Sequence, residues 1–192
     1  MELQEAIFKR RSVRNFSPDD VTDDQLRQIF EAVRWSPSWA NTQVWEFVVV
    51  RDKKLIQGVT ATYFEKNPAK KCSLAASALI VICAKTGLSG CYGGKQATKH
   101  ADWYMFDLGI ATQTLCLKAY ELGLGTVVVG LMDHDACKKL IGLPDDYEVA
   151  AVIPIGRSAV ELKEGPPRKA VSEMVHLDMF GRKMFQVHPA KA

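Results

Sequence analysis

The chain has 192 residues and a formal net charge of +3 at pH 7, with 47% hydrophobic and 24% charged residues. This length suits one compact domain with a sizeable core, with or without a protruding arm, and so mild a charge disfavours a dedicated nucleic-acid-binding protein. No apolar run is long enough to cross a bilayer, and the N-terminus lacks the apolar stretch of a secretory signal, so we expect no membrane partner and no secretion.

The cysteines and histidines indicate the compartment and the absence of a metal site. The five cysteines are odd in number and no two form a C-x-x-C pair, which favours free thiols in a reducing, cytoplasmic setting. Cys91 lies in a glycine-rich stretch and is the one candidate for a reactive thiol. The histidines show no metal-ligand spacing, so no metal is expected. They are His100, His134, His176 and His188.

The first third of the chain predicts helices around one strand. Residues 2–10 have helical spacing, and Thr22-Asp23-Asp24-Gln25 is typical of a capping box that starts a second helix. Apolar residues then recur every three or four positions until Ser36-Pro37 ends that helix. Residues 46–51 follow as a short strand, and residues 53–64 as a helix.

The middle of the chain predicts a buried strand and a loop. Residues 78–84 (ALIVICA) form a continuous apolar run, which is typical of a strand buried on both faces. The stretch from Gly87 to Lys95 contains four glycines and predicts a loop. It is not a Walker phosphate loop, because Gln96 stands where that motif requires serine or threonine.

Residues 99–122 predict the strongest helix of the chain. It is apolar on almost every side, and its only formal charge between Trp103 and Leu117 is Asp107. A helix of this kind is buried on almost all sides. The pattern alone leaves two settings open, the centre of a monomer or the contact with a second copy of the chain.

The last third of the chain predicts further strands and a tail. Gly123 caps the long helix, residues 126–129 and 147–156 predict strands, and residues 133–141 predict a helix. The order helix, glycine, strand is the reverse of a dinucleotide fingerprint, so a Rossmann site is not expected. Residues 171–186 are partly apolar and need a surface to lie against, for which a partner subunit is one candidate.

Three segments are candidates for ligand binding. They are Arg10-Arg11-Ser12-Val13-Arg14, the amide-rich Ser36–Trp45 and the strand end Val127–Gly130. Guanidiniums and a hydroxyl suit a phosphate, polar amides suit the edge of a heterocycle, and a glycine at a strand end lets the backbone approach a flat ring. Taken one at a time, the same residues also suit solvated charge, a helix stop and a turn.

Taken together, these segments resemble the nitroreductase family of FMN-dependent oxidoreductases over roughly residues 1–175. The family pattern R-R-S-x-R-x-F corresponds to Arg10–Phe16 of this chain, and the pattern A-P-S-x-x-N-x-Q-P-W to Ser36–Trp45. The segments Glu121–Thr126 and Ile153–Gly156 also look like their family counterparts.

The resemblance implies a fold, an assembly and an activity. The implied fold is α+β, with a central mixed, mostly antiparallel sheet flanked by helices in three layers, in a domain-entwined homodimer that holds FMN in its interface. Residues 1–170 would form the FMN-binding domain, and residues 171–192 an extension that embraces the partner subunit. The implied activity is ping-pong transfer of a hydride from NADH or NADPH, through FMN, to a small-molecule acceptor such as a nitroaromatic or a quinone.

The resemblance also implies which residues bind FMN. Arg10, Ser12 and Arg14 are expected to hold its phosphate and ribityl chain, with Arg11 nearby, and Arg168 is expected to add another phosphate contact. The residues expected to reach the flavin of the other subunit are Pro37, Ser38, Trp39, Asn41 and Gln43. The residues expected over the isoalloxazine ring, with a backbone N–H near its N5 atom, are Val129, Gly130 and Leu131. No catalytic side chain is implied, because the hydride passes through N5 of the flavin.

The acceptor pocket is expected to involve Trp39, Lys70, Lys71 and Trp103, and the two lysines could stabilise the charge of the reduced flavin. The sequence departs from the family pattern at two positions: Val44 stands where proline is usual, and Trp39 where a small residue is common. An indole at the entrance would narrow the pocket or stack on an aromatic substrate.

Three alternatives stay open on the sequence. One is a flavoenzyme of the same fold with another acceptor, a dehalogenase or a flavin-fragmenting enzyme, although such relatives tend to carry a longer lid than Gly87–Lys95. A second is a non-catalytic FMN-binding protein in which Trp39 plugs the slot, which predicts flavin reduction without turnover. The weakest is a nucleic-acid-binding module, which predicts steeply salt-dependent DNA affinity.

Overall fold

The computed structural model describes residues 1–185, so His188 and the end of the predicted extension lie outside the described residues. The chain divides into two compact units, Met1–Leu162 and Lys163–Ala192. The helices are α1 (Leu3–Lys9), α2 (Asp23–Val33), α3 (Lys53–Ala61), α4 (Lys70–Ala75), α5 (Tyr104–Glu121), α6 (His134–Leu140) and α7 (Val171–Met174). The strands are β1 (Trp45–Val50), β2 (Ala78–Lys85), β3 (Cys91–Tyr92), β4 (Lys95–Gln96), β5 (Gly125–Thr126) and β6 (Tyr147–Gly156).

The first unit is built on a four-stranded antiparallel sheet in the order β1-β2-β6-β5. The strand β2 lies in its middle, with Ile82 opposite Phe47 of β1 and Ile80 opposite Ile153 of β6. Every residue from Ala78 to Ala84 is 0% exposed. This confirms the prediction of a strand buried on both faces.

Helices cover both faces of the sheet, and β2 contributes alternate residues to two separate cores. Leu79, Val81 and Cys83 pack with residues of α3, α4 and α6, while Ala78, Ile80 and Ile82 pack with residues of α2 and α5. Successive side chains of a strand point to opposite faces, so one apolar run supplies both cores. The predicted three-layer α+β arrangement is therefore confirmed.

The helix α2 begins at the predicted capping box. The Thr22 hydroxyl accepts a hydrogen bond from the Gln25 backbone N–H at 3.2 Å, and the Gln25 side chain accepts one from the Thr22 N–H at 3.1 Å. Leu26, Ile29 and Val33 form its buried face. A local sequence signal therefore fixes both the start and the orientation of this helix.

The larger differences from the sequence predictions lie in the segments 126–129, 99–122 and 87–95. The predicted strand 126–129 is wrong, because β5 ends at Thr126 and only Val129 pairs again, in an isolated bridge to Val152. Val128 lies between Thr126 and Val129 and is exposed. The run of valines therefore does not form a continuously paired strand. The long helix begins at Tyr104 and not at residue 99, and the predicted loop 87–95 contains most of a hairpin, β3–β4.

Within a single chain, α5 is not buried on almost all sides. Of the two settings that the pattern left open, the centre of a monomer is therefore wrong, and the contact with a second copy stays a prediction. Leu108, Ala111 and Leu115 face the core, whereas Met105 is 48% exposed and Phe106 63% exposed. The helix therefore has one buried face and one face with exposed apolar side chains.

The second unit, described from Lys163 to Phe185, contains the single helix α7 and little other regular structure. His176 pairs with Lys183 in an isolated bridge, and the rings of His176 and Phe180 meet edge to face at 4.5 Å. Arg168 lies in this unit and is exposed. Among all described residues, no helix has both the length and the apolar character needed to cross a bilayer.

Candidate functional site

The basic segment lies along the edge of the sheet next to β5. Ser12 forms a parallel bridge with Thr126, and the Val13 backbone N–H donates to the Thr126 carbonyl at 2.9 Å. Farther along, Phe16 pairs with Ser158. A Cβ at Gly125 would lie 2.5 Å from Val13 Cγ2, so only glycine lets the two backbones approach this closely.

The guanidiniums of the basic segment make few internal contacts. Within residues 1–185, none of Arg10, Arg11 and Arg14 forms an ion pair. The Arg11 side chain donates to the carbonyls of Phe8 and Arg10, and its buried Nε has no acceptor among the described residues. A buried unpaired donor is costly, and three guanidiniums without carboxylates form a strongly positive site. This arrangement suits an anionic ligand with several oxygens.

The amide-rich segment forms a strained turn before β1. Ala40, Asn41 and Gln43 have positive φ angles of 44°, 57° and 47°, a conformation in which non-glycine residues are uncommon. The Gln43 N–H donates to the Ser38 hydroxyl at 2.9 Å, and the Gln43 side-chain amide donates to Asn41 Oδ1 at 3.1 Å. The turn therefore presents closely spaced polar side chains on a fixed backbone.

A residue that the sequence analysis did not assign to the site anchors this turn. Asp107, 1% exposed, accepts the Trp39 backbone N–H at 3.1 Å and 3.2 Å on its two oxygens, and the Ser89 hydroxyl at 2.6 Å. The signal that could have identified Asp107 is its isolation as the one charge in the apolar part of α5.

Aromatic side chains gather beside the turn. The ring of Trp39 lies 5.2 Å from that of Trp103 and 5.6 Å from that of Tyr92, while Phe106 lies 5.7 Å from Trp103. We call Trp39, Tyr92, Trp103 and Phe106 the aromatic cluster. The indole N–H of Trp39 is buried and has no acceptor within residues 1–185. Sequence reasoning missed Tyr92 because the β3–β4 hairpin that carries it was predicted to be a loop.

The segment Val129–Leu131 presents free backbone donors. Val129 exchanges two 2.9 Å backbone hydrogen bonds with Val152, and the Leu131 carbonyl accepts from the Asn67 side chain at 2.7 Å. The N–H groups of Gly130 and Leu131 have no acceptor among the described residues, and a Cβ at Gly130 would meet nothing within 4 Å. This strand end can therefore receive a flat ligand against its backbone.

The two lysines lie at the start of α4, after the turn in which Asn67 Oδ1 accepts the Ala69 N–H at 2.9 Å. Asn67 thus connects the segment that leads to Lys70 with the carbonyl of Leu131. Lys70 is half-buried and Lys71 exposed, and neither forms an ion pair within residues 1–185. This places a positive helix start next to the strand end.

Within one chain the predicted residues form separate groups. Over residues 1–185, no hydrogen bond, ion pair or aromatic contact joins the turn 37–43 to the basic segment or to Val129–Leu131. The turn instead forms one group with Trp103, Tyr92 and Asp107.

The comparison with protein families agrees with this geometry. The sequence model of the Nitroreductase family matches residues 7–157, which include the basic segment, the strained turn and the whole central sheet. The chain belongs to the nitroreductase family. The resemblance that the motifs indicated is thereby confirmed.

Several nitroreductase-like proteins share most of their length with this chain. A protein of Archaeoglobus fulgidus, named as an NADH dehydrogenase/NAD(P)H nitroreductase, is 31% identical over 81% of this chain and 84% of its own. The crystal structure of a nitroreductase family protein from Clostridium novyi NT is 28% identical, with a TM-score of 0.74 over 96% of this chain and 97% of its own. The structure of an FMN-dependent nitroreductase from Clostridium difficile R20291 is 25% identical, with a TM-score of 0.76 over 92% of this chain and 99% of that protein's chain.

The cysteines of this nitroreductase-family chain differ in exposure, which predicts selective thiol chemistry. Burial raises the pKa of Cys83 to about 12 and that of Cys137 to about 11, and it also raises the pKa of Cys72 and Cys116. Cys91 is only half-buried. Since the thiolate is the reactive form, we expect Cys91 alone to react with Ellman's reagent in the native protein at neutral pH. Rapid reaction that persists in Cys91→Ser would contradict this.

Proposed function

We propose that this chain is an FMN-dependent oxidoreductase that takes a hydride from NADH or NADPH and reduces small electron-poor acceptors, such as nitroaromatics or quinones, by a ping-pong mechanism. Family membership and the FMN-dependent relative support the class. The observation that carries the proposal is the basic segment, in which none of the guanidiniums of Arg10, Arg11 and Arg14 pairs with a carboxylate of residues 1–185. A phosphate monoester supplies the oxygens that these donors lack.

The residues of this chain fit the rest of FMN as well. Arg10, Ser12 and Arg14 would hold the phosphate and ribityl chain, with Arg11 nearby. The phosphate contact that the resemblance implies for Arg168 stays a prediction. The segment Val129–Leu131 would receive the ring on its free N–H groups. The residues that would reach the flavin of the other subunit are Pro37, Ser38, Trp39, Asn41 and Gln43. When bound, FMN supplies the two-electron chemistry.

The side chains contribute binding, orientation and charge. The guanidiniums would neutralise the phosphate and fix the position of the ring, and Lys70 and Lys71 would raise the positive potential beside it. Trp39 and Trp103 would border the acceptor slot, where they would exclude water and stack on planar acceptors. No side-chain nucleophile or general base is required in this scheme.

The proposal includes a homodimer. On α5 and α1 the structure leaves large apolar side chains exposed: Met105, Phe106, Leu3 and Phe8 are between 48% and 68% exposed. Exposed apolar side chains of this size are candidates for an interaction surface. Since no hydrogen bond, ion pair or aromatic contact joins the turn 37–43 to the basic segment within residues 1–185, a second copy would bring the two together. We also place the enzyme in the cytoplasm, because its five cysteines are free.

An anaerobic titration tests the function. The purified protein, loaded with FMN, is titrated with NADH and NADPH while the flavin absorbance is recorded, and a quinone or nitroaromatic acceptor is then added. We expect bleaching by at least one nicotinamide and recovery of the oxidised spectrum on addition of the acceptor. If the flavin is bleached but none of the acceptors restores its oxidised spectrum, the protein is a non-catalytic flavoprotein. If neither NADH nor NADPH bleaches the flavin, the proposal is contradicted.

Trp39 is predicted to select acceptors more than it holds FMN. Trp39→Ala removes the ring that packs on Trp103 and Tyr92 but leaves the backbone N–H that Asp107 accepts. We therefore expect a change in the ratio of kcat/KM between acceptors, with FMN content nearly unchanged. Steady-state kinetics with aromatic and non-aromatic acceptors measure this, and parallel loss of flavin and of all activities would count against it.

A further inference from the structure

Asp107 is a buried carboxylate that the proposed chemistry does not use. Among the described residues it has no cationic partner, and burying a charge in an apolar surrounding is costly unless donors satisfy it. The donors are the Trp39 backbone N–H and the Ser89 hydroxyl. This carboxylate therefore joins three segments that are far apart in sequence: the strained turn, the loop before β3, and α5.

Each of these three segments carries part of the aromatic cluster. The turn carries Trp39, the loop leads directly into β3 with Tyr92, and the start of α5 carries Trp103 and Phe106. The loop is also fitted closely to α5, because a Cβ at Gly90 would lie 2.7 Å from Trp103 Cβ. Asp107 thus ties together the backbones that carry the rings.

The turn needs such an anchor. Its non-glycine residues with positive φ each cost about 1–3 kcal/mol, and conformations of this kind persist only where surrounding contacts hold them. Outside the turn itself, the hydrogen bonds that hold Trp39 are those to Asp107. Loss of the carboxylate would leave the Trp39 N–H without an acceptor and release the turn.

We propose that Asp107 is a positioning residue that determines acceptor specificity, because it holds Trp39 against Trp103 and Tyr92. The assembled rings offer a stacking surface to planar aromatic acceptors. Ferricyanide is not planar or aromatic and cannot use this surface. The selectivity part of this inference rests on the proposed function, and the positioning part does not.

The test compares Asp107→Ala and Asp107→Asn with a matched control, Thr114→Val. Thr114 lies two turns farther along α5, and its hydroxyl accepts a hydrogen bond from the Ser36 hydroxyl at 2.9 Å. The control therefore removes a hydrogen bond between the same helix and the residue just before the turn. It does not alter the contacts of Trp39. Two properties are measured on the purified protein: the exciton-coupled circular dichroism of the Trp39–Trp103 pair, assigned with Trp103→Phe, and kcat/KM for menadione and for ferricyanide.

We expect Asp107→Ala to lose the indole couplet and to lower kcat/KM for menadione relative to ferricyanide by about tenfold or more, a size typical of a displaced positioning group. Asp107→Asn, which keeps the volume, should shift both properties less and in the same direction, and Thr114→Val should leave both unchanged. A couplet and an acceptor ratio that stay unchanged in Asp107→Ala, or that change equally in the control, would overturn the proposal. If the wild type oxidises neither NADH nor NADPH, the proposed function is wrong. In that case the indole couplet still decides whether Asp107 positions Trp39.

Discussion

Replacing both Arg10 and Arg14 by alanine is expected to yield protein that purifies without bound FMN. Neither guanidinium has an anionic partner among the described residues, so both are available to a phosphate in the proposed site. Each charge-assisted hydrogen bond contributes about 1.5–3 kcal/mol. Loss of two should raise the Kd for FMN by about 10²–10⁴-fold, which quenching of flavin fluorescence during titration measures.

The matched control for this experiment is Arg27→Ala. Arg27 lies on the exposed side of α2, where it pairs with Asp24, and its removal changes the net charge without touching the basic segment. We expect its FMN affinity to stay within about twofold of wild type, since exposed ion pairs contribute little. Equal weakening by Arg27→Ala and by the double variant would show that general charge, and not a phosphate site, governs binding.

The second large effect is expected from Gly125→Ala. The added Cβ would lie 2.5 Å from Val13 Cγ2 and 2.6 Å from Val13 Cβ, so the backbone of the basic segment has to move away from β5. Overpacking of this kind costs about 1–3 kcal/mol, and it also displaces Ser12 from its bridge to Thr126. We therefore expect a lower free energy of unfolding in urea together with weaker binding of FMN.

The comparison variant is Gly58→Ala in α3. There a Cβ would meet the side chain of Leu140, whose nearest atom is Cδ2 at 2.9 Å, and Leu140 is 40% exposed and can turn away. Alanine is also the better helix former, so the free energy of unfolding should change by less than about 1 kcal/mol. If Gly125→Ala were as well tolerated as Gly58→Ala, the close contact between Val13 and β5 would be wrong.

Much of the fold could be predicted because its signals are local. The capping box at Thr22 and the continuous apolar run 78–84 each identify an element from a few adjacent residues, and the structure confirms both. The errors lie where tertiary contacts decide. Val127 and Val128 have a high strand propensity, but the strand β5 ends before them, at Thr126. The β3–β4 hairpin has only two residues in each strand, which is too short for a sequence pattern to predict.

The candidate site shows the same division. The basic segment and the amide-rich turn were identified from their motifs, but the positive φ of Ala40 has no sequence signature. The contact of Asp107 with Trp39 and Ser89 joins residues 68 and 18 positions apart, which no short pattern predicts. The sequence does show that Asp107 is the only charged residue in the apolar part of α5. A buried charge of this kind needs hydrogen-bond donors, which must come from other parts of the chain.

The most direct measurement of the central claim compares FMN with riboflavin on the flavin-free wild-type protein by calorimetry. The two ligands share the isoalloxazine ring and differ in the phosphate that the basic segment is proposed to hold. We predict about one FMN per chain, bound at least about a hundredfold more tightly than riboflavin, in line with two or more charge-assisted contacts. Equal affinity for the two ligands, or no binding of either, would contradict a phosphate site at the basic segment.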